Sequence, residues 1–200
     1  MSEPDSEAPR LAPPGAGVPA YQRWAGKYLF LPFWRATLPP ARVPDLMEKQ
    51  GAELIRLGDG LPALLLTRRV LVPPQIGLED SSRFHSWAMV LEHLTIVGND
   101  MVLILGDLTR GNVPPGVVRV ENLKPCGRID APTAVEEYRT MLLRVRQIVL
   151  NPRNDWSSRA RYVHPWFGPL GAKQWACFAP FHQAIHLKQA RRIRRLLDGM

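Results

Sequence analysis

Apolar residues recur at helical spacing in four stretches of the chain, and breaks rich in proline and glycine separate these stretches. The first begins near Pro44 and the second is placed at residues 83–109, with Ser82 as its N-cap. The third begins at a capping box formed by Thr133 and Glu136. The fourth lies between His164 and Leu197. No stretch alternates convincingly with the period of a strand.

This pattern predicts an all-α fold, and its economical architecture is a four-helix bundle. Facing helices of a bundle are a known place to build metal sites. Two hundred residues, 46% of them apolar, suffice for one domain with a sizeable core. Gly58–Pro62 breaks the first helix. Pro180 either kinks the last helix or marks a later start for it.

The N-terminal part differs in composition from the rest. Residues 1–20 are rich in Pro, Ala, Gly and acidic residues, and they predict a disordered tail without the features of a signal peptide. Residues 21–43 are predicted to be an extension that docks on the bundle, which occupies residues 44–200. The apolar run from Lys27 to Trp34 is too short to span a bilayer, so no membrane partner is expected.

The formal net charge is +8, which raises the question of a polyanionic partner. Much of the excess lies near the end of the last helix, where cations also complement the helix dipole. The two cysteines form no CxxC motif, which fits a reduced, cytoplasmic protein. Cys177 is expected to be a small buried side chain.

The candidate chemistry centres on His182 and His186, which stand four residues apart. On a helix such residues share a face, and both imidazoles can reach one metal ion. Spacing alone favours an ordinary structural role for the pair, because HxxxH pairs also arise by chance. Trp175 and Gln189 extend the same stripe.

Other polar residues of the helices are candidates with two interpretations each. His93 has apolar neighbours on its own face, so its imidazole should point inward. Asp100 lies two turns after His93, where it either orients a ligand or faces solvent. Gln189 either contacts substrate or makes an interhelical hydrogen bond. His85 is expected on the surface, and His164 in a loop is expected to be structural first and a pocket residue second.

Several of these residues together resemble the DinB-like superfamily, which includes the YfiT-type metal-dependent hydrolases. The resemblance rests on Trp87-Ala-Met-Val-Leu-Glu-His93-Leu94, on His164-Pro-Trp-Phe-Gly-Pro-Leu170, and on Trp175 followed by His182-x-x-x-His186-Leu-x-Gln189. It covers roughly residues 44–197 and is strongest in the last forty or so. Pro180 and the Gly58–Pro62 break depart from the family pattern.

The resemblance implies a four-helix bundle in which His93, His182 and His186 bind one divalent metal. Imidazole ligands suit zinc or nickel first, with iron or manganese next. Three protein ligands leave a position open for water or for a thiol. The implied activity is that of a hydrolase, or of a transferase or isomerase that uses a low-molecular-weight thiol, acting on a small molecule. Relatives are often homodimers. Gln189 and Asp100 are the candidates for catalytic groups.

A non-catalytic helical module is the alternative. In this interpretation the histidines belong to the core, and the basic C-terminal helix binds a polyanion. Nucleic acid is not expected as a partner, because the cations also have a structural explanation. The two interpretations differ in whether metal binding or salt-dependent anion binding is the property to be found.

Overall fold

The computed structural model describes residues 9–200 and is mostly helical, with two small antiparallel sheets. Its α-helices are α1 (Ala20–Ala25), α2 (Leu31–Thr37), α3 (Val43–Arg56), α4 (Ala63–Thr67), α5 (Trp87–Leu108), α6 (Ala131–Val149) and α7 (Ala172–Asp198). A π-helical turn, Gly26–Phe30, joins α1 to α2. The strands are β1 (Val70–Leu71), β2 (Phe84–His85), β3 (Arg161–His164) and β4 (Gly168–Gly171). The expectation of a fold without any sheet is corrected on this point.

The long helices form where the apolar spacing predicts them, but their caps differ. The N-cap of α5 is Ser86, whose Oγ accepts a hydrogen bond from the Met89 amide. The N-cap of α6 is Asp130, whose carboxylate accepts from the Thr133 amide at 2.8 Å. Ser82 and the predicted capping box therefore do not begin these helices. Each true cap lies within four residues of the predicted one.

The long helices pack in pairs around a shared core. α5 packs on α6 and α7, and α3 packs on the same two helices. The side chains at the centre include Leu54, Leu91, Leu105, Tyr138 and Ile193, all of which are buried. α5 is long and apolar enough to cross a membrane by length and composition, but most of it is buried within the protein. That burial is what a core helix of a folded domain requires.

α7 carries the last apolar stripe without interruption. It begins at Ala172, eight residues before Pro180, and continues through the proline to Asp198. Pro180 therefore lies inside the last helix, and the alternative of a helix that begins after the proline is wrong. β3 and β4 form a hairpin directly before α7, with Tyr162 opposite Leu170 and His164 opposite Gly168.

The N-terminal segment lies against the body of the protein. Residues 1–8 of the predicted tail lie outside the described residues. Within residues 9–20, the amides of Ala12, Gly15 and Gly17 donate to the carboxylates of Asp80 and Glu79. Residues 20–37, here called the cover helix, comprise α1, the π-helical turn and α2. The cover helix packs on α7 through α2.

Candidate metal centre

Three histidines from two helices meet in the core. His93 lies on α5, and His182 and His186 lie one turn apart on α7. The ring centroids are 5.3 Å apart for His93 and His182, 4.5 Å for His93 and His186, and 4.6 Å for the α7 pair. One nitrogen from each ring lies within 4.8 Å of the others. This spacing lets the three imidazoles bind one divalent ion.

Hydrogen bonds set the tautomer of two of the rings. His93 Nδ1 lies 2.7 Å from the Leu123 carbonyl oxygen, which can only accept, so Nδ1 carries the proton. His186 Nδ1 lies 2.7 Å from Gln189 Oε1. Each bond leaves Nε2 with a free lone pair, which is the arrangement that a metal ligand requires.

Gln189 owes its orientation to a turn that precedes β2. Its Nε2 donates to the Ser82 carbonyl at 2.7 Å, and this bond leaves Oε1 to accept from His186. The side chain is completely buried, and both ends of its amide are engaged. Gln189 therefore orients the ring of His186 by a hydrogen bond to Nδ1, and it does not line the cavity.

Burial also controls the charge of the three rings. Desolvation lowers the pKa of His93 to about 4, although the Leu123 carbonyl and nearby carboxylates oppose the change. Desolvation, and after it the mutual repulsion of the imidazoles, lowers the pKa of His182 and of His186 well below the ordinary value. Neutral imidazoles are the form that binds metal ions.

A mostly apolar cavity of about 280 Å³ opens from the three histidines. Its wall includes the aromatic rings of Trp166, Phe167, Trp175, Phe178 and Phe181. The cover helix closes another side through Tyr21, Gln22, Ala25, Gly26 and Phe30. An apolar pocket with a few convergent polar groups is typical of a small-molecule site.

Asp100 lines the same cavity, two turns along α5 from His93. Its side chain is half-buried, and burial raises the pKa of its carboxyl. No ion pair involves it within residues 9–200. Neither interpretation of Asp100 describes this position: its side chain is half-buried at the cavity, and the hydrogen bond of the His93 ring goes to Leu123.

The prediction for His85 is wrong. The residue lies in β2, outside α5, and its side chain is buried with the ring centroid 6.4 Å from that of His93. Burial lowers the pKa of His85 to about 3, and its Nδ1 has no hydrogen-bond partner in the described chain. His85 is not one of the three clustered ligands.

The other expectations about single residues can be placed as well. His164 ends β3, accepts from the Trp166 amide at 3.1 Å, and lines the cavity among aromatic rings. The residue was expected in a loop, but it ends a strand, where its side chain both makes a local hydrogen bond and lines the cavity. Cys177 is buried, as predicted, and burial raises the pKa of its thiol to about 11.

Two features of the site were not predicted from the sequence. His93 is oriented by the backbone carbonyl of Leu123, and Gln189 by that of Ser82. The residue type gives no signal that its carbonyl will have such a role. The cover helix was expected to dock, but its position over the histidines was not. Its small residues Ala25 and Gly26 are the local sign of a close contact, because a Cβ on Gly26 would lie 2.7 Å from the Phe167 ring.

Replacing Gln189 by Leu should weaken metal binding while leaving all three ligands in place. Without its acceptor, His186 loses the bond that holds its ring and its tautomer, and such losses typically cost about 10–100-fold in affinity. Competition with a chromophoric chelator measures the change. Gln147→Leu, at an exposed position on α6, is the matched control. Equal affinities for both variants would remove Gln189 from the metal site.

Comparison of the chain with protein-family models, with curated proteins and with solved structures finds no match.

Proposed function

We propose that this protein is a metal-dependent enzyme of the DinB-like type, with His93, His182 and His186 as ligands in a four-helix bundle. The observation that carries the proposal is the meeting of three neutral imidazoles at one point, two of them oriented by hydrogen bonds from Nδ1. The ring formed by α3, α6, α5 and α7 supports the bundle, since each of these helices packs on two of the others.

The donor set fits a transition metal. Three imidazole nitrogens suit zinc or nickel, then iron or manganese, and suit magnesium or calcium poorly. A bound ion of this kind supplies Lewis acidity, which lets water or a thiol lose its proton near neutral pH. The proposed activity is hydrolysis of a small molecule, or transfer or isomerisation with a low-molecular-weight thiol.

The chain's own residues bind and orient the substrate. The aromatic wall and the cover helix give the cavity a mostly apolar lining, and a substrate that fills it would displace water and strengthen electrostatic interactions inside it. Asp100 is the cavity's carboxyl group with a raised pKa, and we assign it the role of general acid or base toward the substrate. Gln189 holds His186 and does not touch the substrate.

The structure favours this proposal over the polyanion alternative. Arg191 pairs with Glu53, Arg192 donates to the carbonyls of Pro73 and Pro74, and Arg194 donates to those of Leu57 and Asp59. These guanidinium groups join α7 to α3 and to the loops around it. Their arrangement explains much of the charge at the end of α7 without an external partner.

Activity of the metal-loaded protein should require Asp100. Nitrophenyl esters test hydrolysis, and an electrophilic aryl halide with a small thiol tests transfer. On whichever substrate is turned over, Asp100→Asn should lower the rate by about 10²-fold or more, since proton transfer contributes at least that much. Metal content should stay at the level of the unmodified protein.

Asp107→Asn is the matched control, because Asp107 is also on α5 but pairs with Arg110 outside the cavity. A rate unchanged in Asp100→Asn would exclude the carboxyl from the reaction. If the metal-loaded protein turned over neither substrate type in the presence of a thiol, the proposed activity would lose its support.

A further inference from the structure

The cover helix has two different faces. Its inner face contacts the body: Gln22 accepts from the Gly77 amide at 2.8 Å, and the rings of Phe30 and Trp34 lie about 6 Å from that of Phe181. Its outer face carries large apolar side chains that nothing in the described chain covers. Their exposed fractions are 58% for Trp24, 55% for Tyr28, 55% for Leu29 and 62% for Phe33.

Cations lie beside these rings. Arg23, Lys27 and Arg35 are exposed, and residues 20–37 contain no Asp or Glu. Arg23 and Lys27 are one turn apart, and Lys27 Nζ lies 5.3 Å from the centre of the Tyr28 ring. None of the three cations forms an ion pair within residues 9–200. The outer face is therefore apolar and exclusively positive.

We propose that the outer face of the cover helix docks on a lipid bilayer that contains anionic lipids, which departs from the expectation of no membrane partner, since that expectation considered only spanning. Trp and Tyr prefer the level of the headgroups, and Phe and Leu reach the acyl boundary. Arg and Lys next to them are attracted to the negative surface of such a bilayer. The helix lies along the protein surface, which is the orientation of an interfacial helix.

The charge on this face argues against a second copy of the chain as its occupant. A symmetric dimer through the outer face would bring the same cations together from both copies, and like charges facing each other are unfavourable. An anionic surface satisfies the cations and the apolar side chains at once. The cavity lies directly beneath the inner face, so docking would place the site close to the bilayer.

Vesicle co-sedimentation of the full chain tests the proposal. Vesicles of phosphatidylcholine with roughly one third phosphatidylglycerol should bind the protein, and pure phosphatidylcholine should bind it at least about tenfold more weakly. The variant Trp24→Ser/Tyr28→Ser/Phe33→Ser and the variant Arg23→Glu/Lys27→Glu should each lose about tenfold or more in apparent affinity. These side chains do not line the cavity, so metal content should be unchanged.

Two control variants test whether vesicle binding depends on the outer face itself, and not on exposed apolar or positively charged side chains in general. Leu143→Ser removes an equally exposed apolar side chain on α6, and Arg192→Ser/Arg195→Ser removes cations of α7. Both should bind vesicles as the unmodified protein does. Circular dichroism verifies that every variant is folded.

The proposal is overturned by equal binding to both vesicle types, or by variants of the outer face that bind normally. It is also overturned if binding depends on the α7 cations. Sedimentation equilibrium tests the remaining alternative, a dimer of this chain. If the protein did not bind vesicles but formed a concentration-dependent dimer, and if Trp24→Ser/Tyr28→Ser/Phe33→Ser were monomeric, the outer face would be a contact between two copies.

Discussion

Purified without a His tag, the protein should contain about one divalent transition metal ion per chain, and His93→Ala and His182→Ala should each lose it. The three rings converge on one point, so removal of either leaves two ligands and a void in the coordination shell. The loss in affinity should exceed the 10–100-fold that is typical of removing a mere orienting partner. Elemental analysis and chelator competition measure both quantities.

His85→Ala is the matched control for these variants. His85 is another buried imidazole, 6.4 Å from His93 by ring centroids, but it is not one of the clustered ligands. Its removal should leave the metal content intact. His93→Asn keeps most of the side-chain volume, and it separates loss of a ligand from loss of packing.

Thermal unfolding adds a readout that does not depend on activity. Zinc at a hundred times its dissociation constant should stabilise the unmodified protein by about 2.7 kcal/mol and His93→Ala by almost nothing. If the protein binds no zinc, nickel, copper, manganese or iron after supplementation, the proposal of a metalloenzyme fails. The basic end of α7 would then be the place to look for function.

Glu79→Gln should lower the free energy of unfolding by about 3 kcal/mol near neutral pH, because it breaks a buried ion pair. The Glu79 carboxylate is 3% exposed and lies 2.6 Å from Lys124 Nζ. It also accepts from the amides of Gly15 and Gly17, which hold the N-terminal segment. Denaturant titration measures the change, and Asp45→Asn in an exposed pair should cost less than about 1 kcal/mol.

The effect of Glu79 should depend on pH. Burial acts to raise the pKa of this carboxyl, but hydrogen bonds from Lys124, Gly17 and Ser81 and the charge of Lys124 outweigh it, so the net pKa is lowered from 4.5. The stabilisation is therefore fully present above pH 4.5 and is lost as the pH falls through the lowered value. The stability difference between the unmodified protein and Glu79→Gln should narrow below pH 4.5. A constant difference at all pH values would contradict this assignment.

The sequence was sufficient for features that depend on neighbouring residues. The apolar period placed α3, α5, α6 and α7, and helical geometry placed His182 and His186 on one face. Both follow from the backbone period of 3.6 residues, which any helical stretch obeys. The same local reasoning predicted a buried Cys177. It was less exact at the helix ends, since Ser86 and Asp130 compete with nearby candidates for the same cap.

Features that join distant parts of the chain were decided by the tertiary structure. His93 joins the α7 pair only because α5 packs on α7, and the family resemblance alone had brought it into the predicted ligand set. The prediction for His85 was wrong because it extended the helix to residues before Ser86. Those residues form β2 instead, and the side chain of His85 is buried. Gln189 is oriented toward His186 by its hydrogen bond to the carbonyl of Ser82, which lies 107 residues away in the chain.

The cover helix shows the same division. Its apolar composition predicted that it would dock, but only packing determined that its inner face lines the cavity of the three histidines. Packing likewise left its outer face uncovered by the part of the chain that the structure describes. A local pattern specifies which residues share a face, because the backbone repeats within a few residues. Which part of the protein that face contacts depends on residues that are distant in the chain. Bringing them together costs loop-closure entropy, and only the contacts of the complete core offset this cost.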